Sequence, residues 1–352
     1  MMRRNDREPG GIGRWLLLAA ILVVGGGAAA LYFAGDRVSD QIHYWLASSS
    51  GGDLAPVPQP RSSAAQATPP ADLSEMPALV VTNGASPENW PELSPADLLA
   101  QSASLGDRAL QDTAFDQPPS RRFARPFTAP ADTPLLGLLL TGLGPDRAAT
   151  AAAIAGLPPE VSLSFNPGSK NLADWVAAAR AFGHEALVDL PLQSKDRRDV
   201  GAQGLLIGLN ADETARRLDA IADSAPSVLG FAGDGGDALL LDETATAQIA
   251  AESARLGLAF IDTSGEPMSQ TLSAAKATGL AAARSMVTLD ARPSRAGILE
   301  RLAAATELAH EQGRVLAVAK VSPLAITVLA DWLRGLDAQG PTPAPASFLL
   351  QR

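Results

Sequence analysis

The chain contains no cysteine in its 352 residues, which excludes disulfides, thiolate metal sites and cysteine nucleophiles at once. That absence is compatible with an oxidising compartment and does not fix one. Histidine is almost as scarce: His43, His184 and His310 are the three present. Basic residues form no dominant cluster, and the formal charge is −10 with a pI near 4.8, so a nucleic-acid partner is excluded on charge. No G-x-S-x-G elbow occurs anywhere, and the histidines fall in the wrong places for lipase-like chemistry.

What remains is a chain that is 46% hydrophobic and 19% charged, with much of the apolar fraction supplied by alanine. Such a composition suits a globular fold with a core of small side chains and close backbone approaches. The first long feature is "WLLLAAILVVGGGAAALYFA", Trp15 to Ala34, twenty residues without a charge. A helix of about 20 apolar residues crosses a ~30 Å hydrocarbon core. Arg3, Arg4, Arg7 and Arg14 precede it, which places residues 1–14 in the cytoplasm and the rest in the periplasm. A cleaved signal peptide is the rival reading, since "GAAA" offers small residues, but "LYFA" beyond it lengthens the segment and favours an anchor at the inner membrane.

Residues 35–133 read as a disordered Pro/Ala/Ser-rich linker, as in "PVPQPRSSAAQATPPADLSEMP", because too little apolar surface is available there to offset ordering entropy. Within it, "WPELSPADLLAQSASLGDRAL" carries a capping-like Ser94 before Pro95 and reads first as a transient helix of the linker, with a brief helix that docks on the main domain or a partner-binding segment as alternatives. "RRFARPF", Arg121 to Phe127, reads as a tether packing on the rim of the domain that follows.

From residue 134 to 352 the rhythm is regular. Apolar runs "LLGLLL", "VSLSF", "EALVDL", "SVLGF", "GLAFID", "SMVTLD" and "RVLAVA" alternate with alanine-rich helical stretches, and "SFLL" closes the series. Repeated βα units imply a parallel sheet buried on both faces, so the fold class is α/β, a distorted (β/α) barrel of seven to eight parallel strands. An open doubly wound sheet is the alternative.

Ligands of parallel barrels sit at the C-terminal strand ends. Here those ends are Thr141, Asn166, Asp189, Asp234 or Asp237, Asp262, Asp290 and Lys320. Asp189, Asp234, Asp262, Asp290 and Lys320 are therefore the candidate cleft residues. Converging acids could bind a hard cation, act as acid and base, or hold sugar hydroxyls; each alone could equally cap a helix or bond its own loop. Lys320 could bind an anion, pair with these acids, or snorkel from a strand end. His184 precedes a strand and so belongs to the opposite, stabilising face, while His310 lies near a helix C-terminus at the surface. The turn "TGLGPD" lacks both the G-x-G-x-x-G spacing and a Walker lysine, and Pro145 removes an amide where an anion would sit, so it is a poor phosphate loop.

Taken in order, "LPPEVSLSFNP", "AFGHEALVDLPLQS", "LGLAFIDT", "VTLD" and "PLAITVLADWLRGL" resemble the divergent polysaccharide deacetylases over nearly the whole of 135–350. The resemblance implies a distorted (β/α) barrel and a metal that polarises an N-acetyl carbonyl and activates water. It also implies where the ligands should stand, and the chain departs from it there. Thr141 and Gly142 replace an Asp pair, Gly233 and Asp234 replace an Asn-His, Lys320 and Val321 replace a His-Pro, and Asp189 replaces a histidine; Asp262, Asp290 and Gly183 to Glu185 carry over. The expectation is a membrane-anchored, periplasmic deacetylase-like protein without metal or other cofactor, binding envelope glycan or an envelope protein. Two alternatives stand beside it: an active N-deacetylase in which Asp189, Asp234, Asp262 and Asp290 assemble a site for Mg or Ca, and a purely structural spacer.

Overall fold

The computed structural model describes residues 90–105, 109–110, 115–196, 198–337 and 340–351. The anchor and cytoplasmic segment read from the sequence, and His43, lie outside them. Among the described residues no helix is long and apolar enough to cross a membrane.

Among the described residues nine strands form one sheet, β1 (Leu135–Leu143), β2 (Ser162–Phe165), β3 (Ala186–Leu192), β4 (Gly230–Gly235), β5 (Ala259–Asp262), β6 (Ala282–Arg284), β7 (Val287–Thr288), β8 (Arg314–Lys320) and β9 (Thr342–Ala344). Eight of them run in parallel in the order β6-β5-β4-β3-β2-β1-β8-β7, and β9 adds to the start of β1. The sheet curls but does not close on itself: β6 and β7, neighbours in sequence, are not paired. Ser285 and Met286 bridge them, the amide of the first bonding Asp262 O of β5 and that of the second Leu316 O of β8, each at 2.8 Å. The expected barrel is thus a curled half-barrel of eight parallel strands.

Side-chain alternation explains the two layers. Leu136, Leu138 and Leu140 of β1 pack with Val188, Phe231 and Phe260 against the helices, while Leu135, Leu139, Leu187, Ile261 and Val318 fill the concave side. The helices α3 (Arg147–Gly156), α4 (Leu172–Ala181), α5 (Ala211–Ser224), α6 (Glu243–Arg255), α7 (Thr271–Thr278), α8 (Arg295–Gln312) and α9 (Pro323–Arg334) supply the outer layer. Asp146, Asn210, Asp242, Ser294 and Ser322 cap five of them, each accepting a backbone N–H three residues on.

Two expectations fail for physical reasons. "SFLL" is not a strand: Ala346–Leu349 is a 3-10 turn whose first two amides are taken by side chains, Ala346 N–H donating to Ser162 Oγ and Ser347 N–H to Glu185 Oε2. The linker, in turn, is folded from Trp90 onward wherever it is described. Helix α1 (Pro95–Ser102) begins in a reciprocal capping box between Ser94 and Asp97, and Leu98 is fully buried among the residues of α3 and α4. A short helix α2 (Pro119–Arg122) follows; Phe123 then stacks under the buried Arg180, and Phe127 meets Phe348 edge-on at 4.9 Å. Of the readings open for this stretch, the helix docked on the domain is the one found.

The strand N-termini form the stabilising end. His184 is buried, with Nδ1 2.8 Å from Val161 O and Nε2 2.9 Å from Ile154 O, and burial holds its pKa below the ordinary imidazole value. Glu185 is fully buried beside it and accepts the amides of Arg125 and Ser347 and the Ser162 hydroxyl. These contacts bring the tether and the C-terminal segment to one carboxylate. His310 is exposed near the end of α8.

Candidate functional site

At the opposite end, the strand C-termini open into a cleft of about 320 Å³ lined by Thr141, Ser194, Asp196, Arg198, Asp234, Asp237, Ser264, Thr288, Asp290 and Lys320, among others. β1 runs into it through Gly142, whose φ of +80° suits glycine and whose amide donates to Asp189 Oδ2 at 2.9 Å. Gly144 N–H is taken by Thr150 Oγ1. These two glycine amides are therefore spent inside the protein.

Asp189 sits beneath the cleft, 2% exposed, and its second oxygen accepts the Ser164 hydroxyl at 2.5 Å. Burial pushes its carboxyl up to about 7, against the Ser164 bond; neighbouring Asp234 pushes the same way, and the Gly142 amide and Lys320 oppose. Asp234, at the end of β4, is held by two cations on one oxygen: Lys320 Nζ at 2.8 Å and Arg198 Nη2 at 2.9 Å from Oδ1. Burial raises the Asp234 carboxyl, but Lys320 and then Arg198 outweigh it and hold it below the usual carboxylate range. Asp290, after β7, accepts the backbone N–H of Lys320 at 3.0 Å.

Asp189, Asp234, Asp290 and Lys320 are thus brought together, and Asp262 is not. Its Oδ1 accepts the amide of Ser264 at 2.8 Å and the Ser264 hydroxyl at 2.6 Å, folding its own loop, and it does not line the cleft. Asn166 likewise closes a turn by accepting Gly168 N–H, and Asp237 accepts the amide of Lys195. The reading from sequence missed Arg198, which sits in an irregular loop, and Ser164, whose inward-facing position in β2 only the alternation "SLSF" could have signalled.

A proton-linked prediction follows from Asp189. A carboxyl whose folded pKa is raised contributes fully below its unfolded value of 3.8, and that contribution is lost as pH rises through about 7. Asp189→Asn can keep both contacts, its oxygen accepting from Gly142 and its amide donating to Ser164. The variant should be more stable than the parent at pH 8 by about 1–3 kcal/mol and lose most of the difference at pH 5, as read by urea unfolding at both values. An unchanged pH profile would show that this carboxyl is not the titrating group.

A model of the divergent polysaccharide deacetylases matches residues 138–350, more than half of the chain. The chain belongs to this family. The curated relatives include the uncharacterised protein YibQ of Escherichia coli K12, 22% identical over 183 residues, covering 52% of this chain and 57% of YibQ. An uncharacterised protein of Haemophilus influenzae is 23% identical over 185 residues, covering 53% of this chain and 66% of its own. The match thus spans less than two thirds of either relative. The crystal structure of uncharacterised ATU2773 from Agrobacterium tumefaciens is 26% identical with a TM-score of 0.63, covering 68% of this chain and 98% of that one.

The family name raises the question of a metal, and this deacetylase-like cleft does not fit one. Among the described residues no group of three or more His, Asp or Glu side chains is arranged to hold an ion. Asp262 Oδ2 is buried without a hydrogen-bond partner, yet it belongs to no such group of three. Asp234, which lines the cleft, already carries an ammonium and a guanidinium.

Proposed function

We propose that this divergent polysaccharide deacetylase is a membrane-anchored, periplasm-facing protein that binds envelope glycan at its strand C-termini without metal-dependent hydrolysis. The observation that carries the reading is Asp234 shared by Lys320 and Arg198. A carboxylate in that state is an ion-pair partner rather than a ligand or a free base. Around it the lining alternates acceptors (Asp290, Asp237), donors (Lys320, Arg198) and hydroxyls (Thr288, Ser264), a pattern suited to a neutral polyhydroxylated molecule. The uncharged stretch 15–34, with arginines before it and a Pro/Ala-rich spacer after it, supports the anchored, exported arrangement.

The test is titration calorimetry of the full chain with N-acetylated oligosaccharides, alongside an acetate-release assay in Zn²⁺ and in Mg²⁺. Saturable binding is expected, with Asp290→Ala weakening it about tenfold and acetate staying at the protein-free level. Metal-dependent acetate release would instead establish an active N-deacetylase, and absence of sugar binding with capture of a defined envelope protein would establish the adaptor role.

A further inference from the structure

The cleft is polar, but the rim beside the ends of β3, β4 and β5 is not. Of the nine large apolar side chains exposed among the described residues, four stand there: Leu206, Ile207, Leu241 and Met268, the last 73% exposed. Backbone bonds set their segments side by side. Leu205 N–H donates to Pro191 O at 2.8 Å, Ile207 N–H to Gln193 Oε1 at 2.9 Å, Leu239 N–H to Gln193 O at 3.1 Å, and Gln270 N–H to Leu240 O at 2.8 Å. Gln193 thus ties residues 205–207 to residues 239–241, and Leu240 ties these to residues 268–270. The same segments adjoin the cleft lining: Ser194 follows Gln193, Asp237 precedes Ala238, and Ser264 lies three residues before Pro267. Residues 205–209, 238–241 and 267–271 contain no charged side chain.

A single exposed leucine is ordinary and needs no ligand, whereas apolar side chains gathered beside a polar cleft are the pattern of a binding surface. A ligand that satisfies both surfaces has two unlike parts, a hydroxyl-bearing head for the cleft and a hydrocarbon for the rim. These four side chains include no aromatic ring on which a second sugar could stack. Leucine, isoleucine and the pliable thioether of methionine instead suit a flexible alkyl chain, and each methylene moved onto them from water favours binding. We propose that the saccharide of this cleft is the head of a glycolipid, with Thr288, Asp290 and Lys320 on the sugar and Leu206, Ile207, Leu241 and Met268 along its hydrocarbon chain. This rests on the glycan reading and names its substrate class. A protein tied to a bilayer, as proposed above, works where such molecules reside.

The probe is octyl N-acetylglucosaminide carrying a diazirine near the end of its alkyl chain, photolysed with the full chain in lipid nanodiscs and mapped by mass spectrometry of the labelled peptides. Labels are expected within residues 205–209, 238–241 and 267–271, and excess methyl N-acetylglucosaminide, which has the head without the tail, should remove them. Ile207→Ser combined with Met268→Ser changes two exposed side chains, so the fold should be kept. The pair should weaken the octyl glycoside at least about fivefold and leave the affinity for the methyl glycoside unchanged. Labels on the rim that the methyl glycoside does not displace would mean that the rim gathers lipid without a sugar, and would overturn the proposal. Equal weakening of both glycosides in the double variant would overturn it as well. Calorimetric binding of N-acetylated oligosaccharides with no label on the rim would sink the glycolipid and leave the glycan reading standing. Loss of both sugar binding and rim labelling would sink the two together.

Discussion

Gly230→Ala is expected to destabilise the protein by about 3–5 kcal/mol and lower its unfolding temperature by roughly 10 °C. Gly230 opens β4 and is paired with Ala259 of β5 in the middle of the sheet. A methyl group built on it would stand 2.2 Å from the carbonyl oxygen of Ala259 and 2.7 Å from its carbon and nitrogen. A side-chain tip could rotate away from such a contact. A paired backbone cannot, so β4 and β5 would have to separate where both are buried. Gly279→Ala is the internal control: φ is +71° and a Cβ there meets nothing within 4 Å, so only left-handed strain of about 1 kcal/mol should be felt. Equal unfolding midpoints for the two variants would contradict the described pairing of β4 with β5.

The second large effect is expected at the other end of the strands, from Glu185→Ala. The carboxylate accepts Arg125 N–H at 2.8 Å, Ser347 N–H at 3.0 Å and the Ser162 hydroxyl at 3.2 Å, all in a fully buried position. Truncation strands two backbone donors where water does not reach, at a cost of about 3–5 kcal/mol. The loss should be local as well as global. Amide exchange at Arg125 and Ser347 should accelerate far more than exchange in β2 or β8, because the tether and the C-terminal segment lose their common acceptor. Burial also raises the Glu185 carboxyl, against the bonds from Ser347, Arg125 and Ser162. Its contribution is thus complete below the ordinary glutamate value and lost as pH rises through the folded one. Uniform exchange throughout the domain would show that Glu185 does not join the two segments.

These two residues show what could and could not be read in advance. The long units, such as "RVLAVA" of β8 and "RAGILERLAAATELAHEQG" of α8, announce themselves because apolar period and helix caps agree over many residues. β6 offers three residues, Ala282 to Arg284, inside an alanine-rich stretch, and β9 contains Pro343, so neither has a local signature. "SFLL" misleads because four apolar residues carry no period, and its backbone partners, Ser162 and Glu185, are more than 150 positions away. In the cleft, the acids at strand ends were legible from topology alone. Which of them turn inward was not: Asp262 is drawn off by Ser264 two residues later, a contest between a local turn and a distant cleft that the local partner wins. Arg198 carries no pattern, and its role exists only because Asp234 lies opposite.

The C-terminal segment has a further consequence for traffic. Ala346, Leu349 and Leu350 lie buried with Leu135, Leu139 and Leu187, and Leu349 takes the space that a side chain on Gly137 would need. The concave side of the curled sheet is therefore plugged near the strand starts by residues 346–350. A ligand at the strand C-termini would meet these side chains rather than a passage toward the strand starts. A long chain of the proposed glycan would have to lie across the cleft or offer an end to it rather than run down the axis of the sheet.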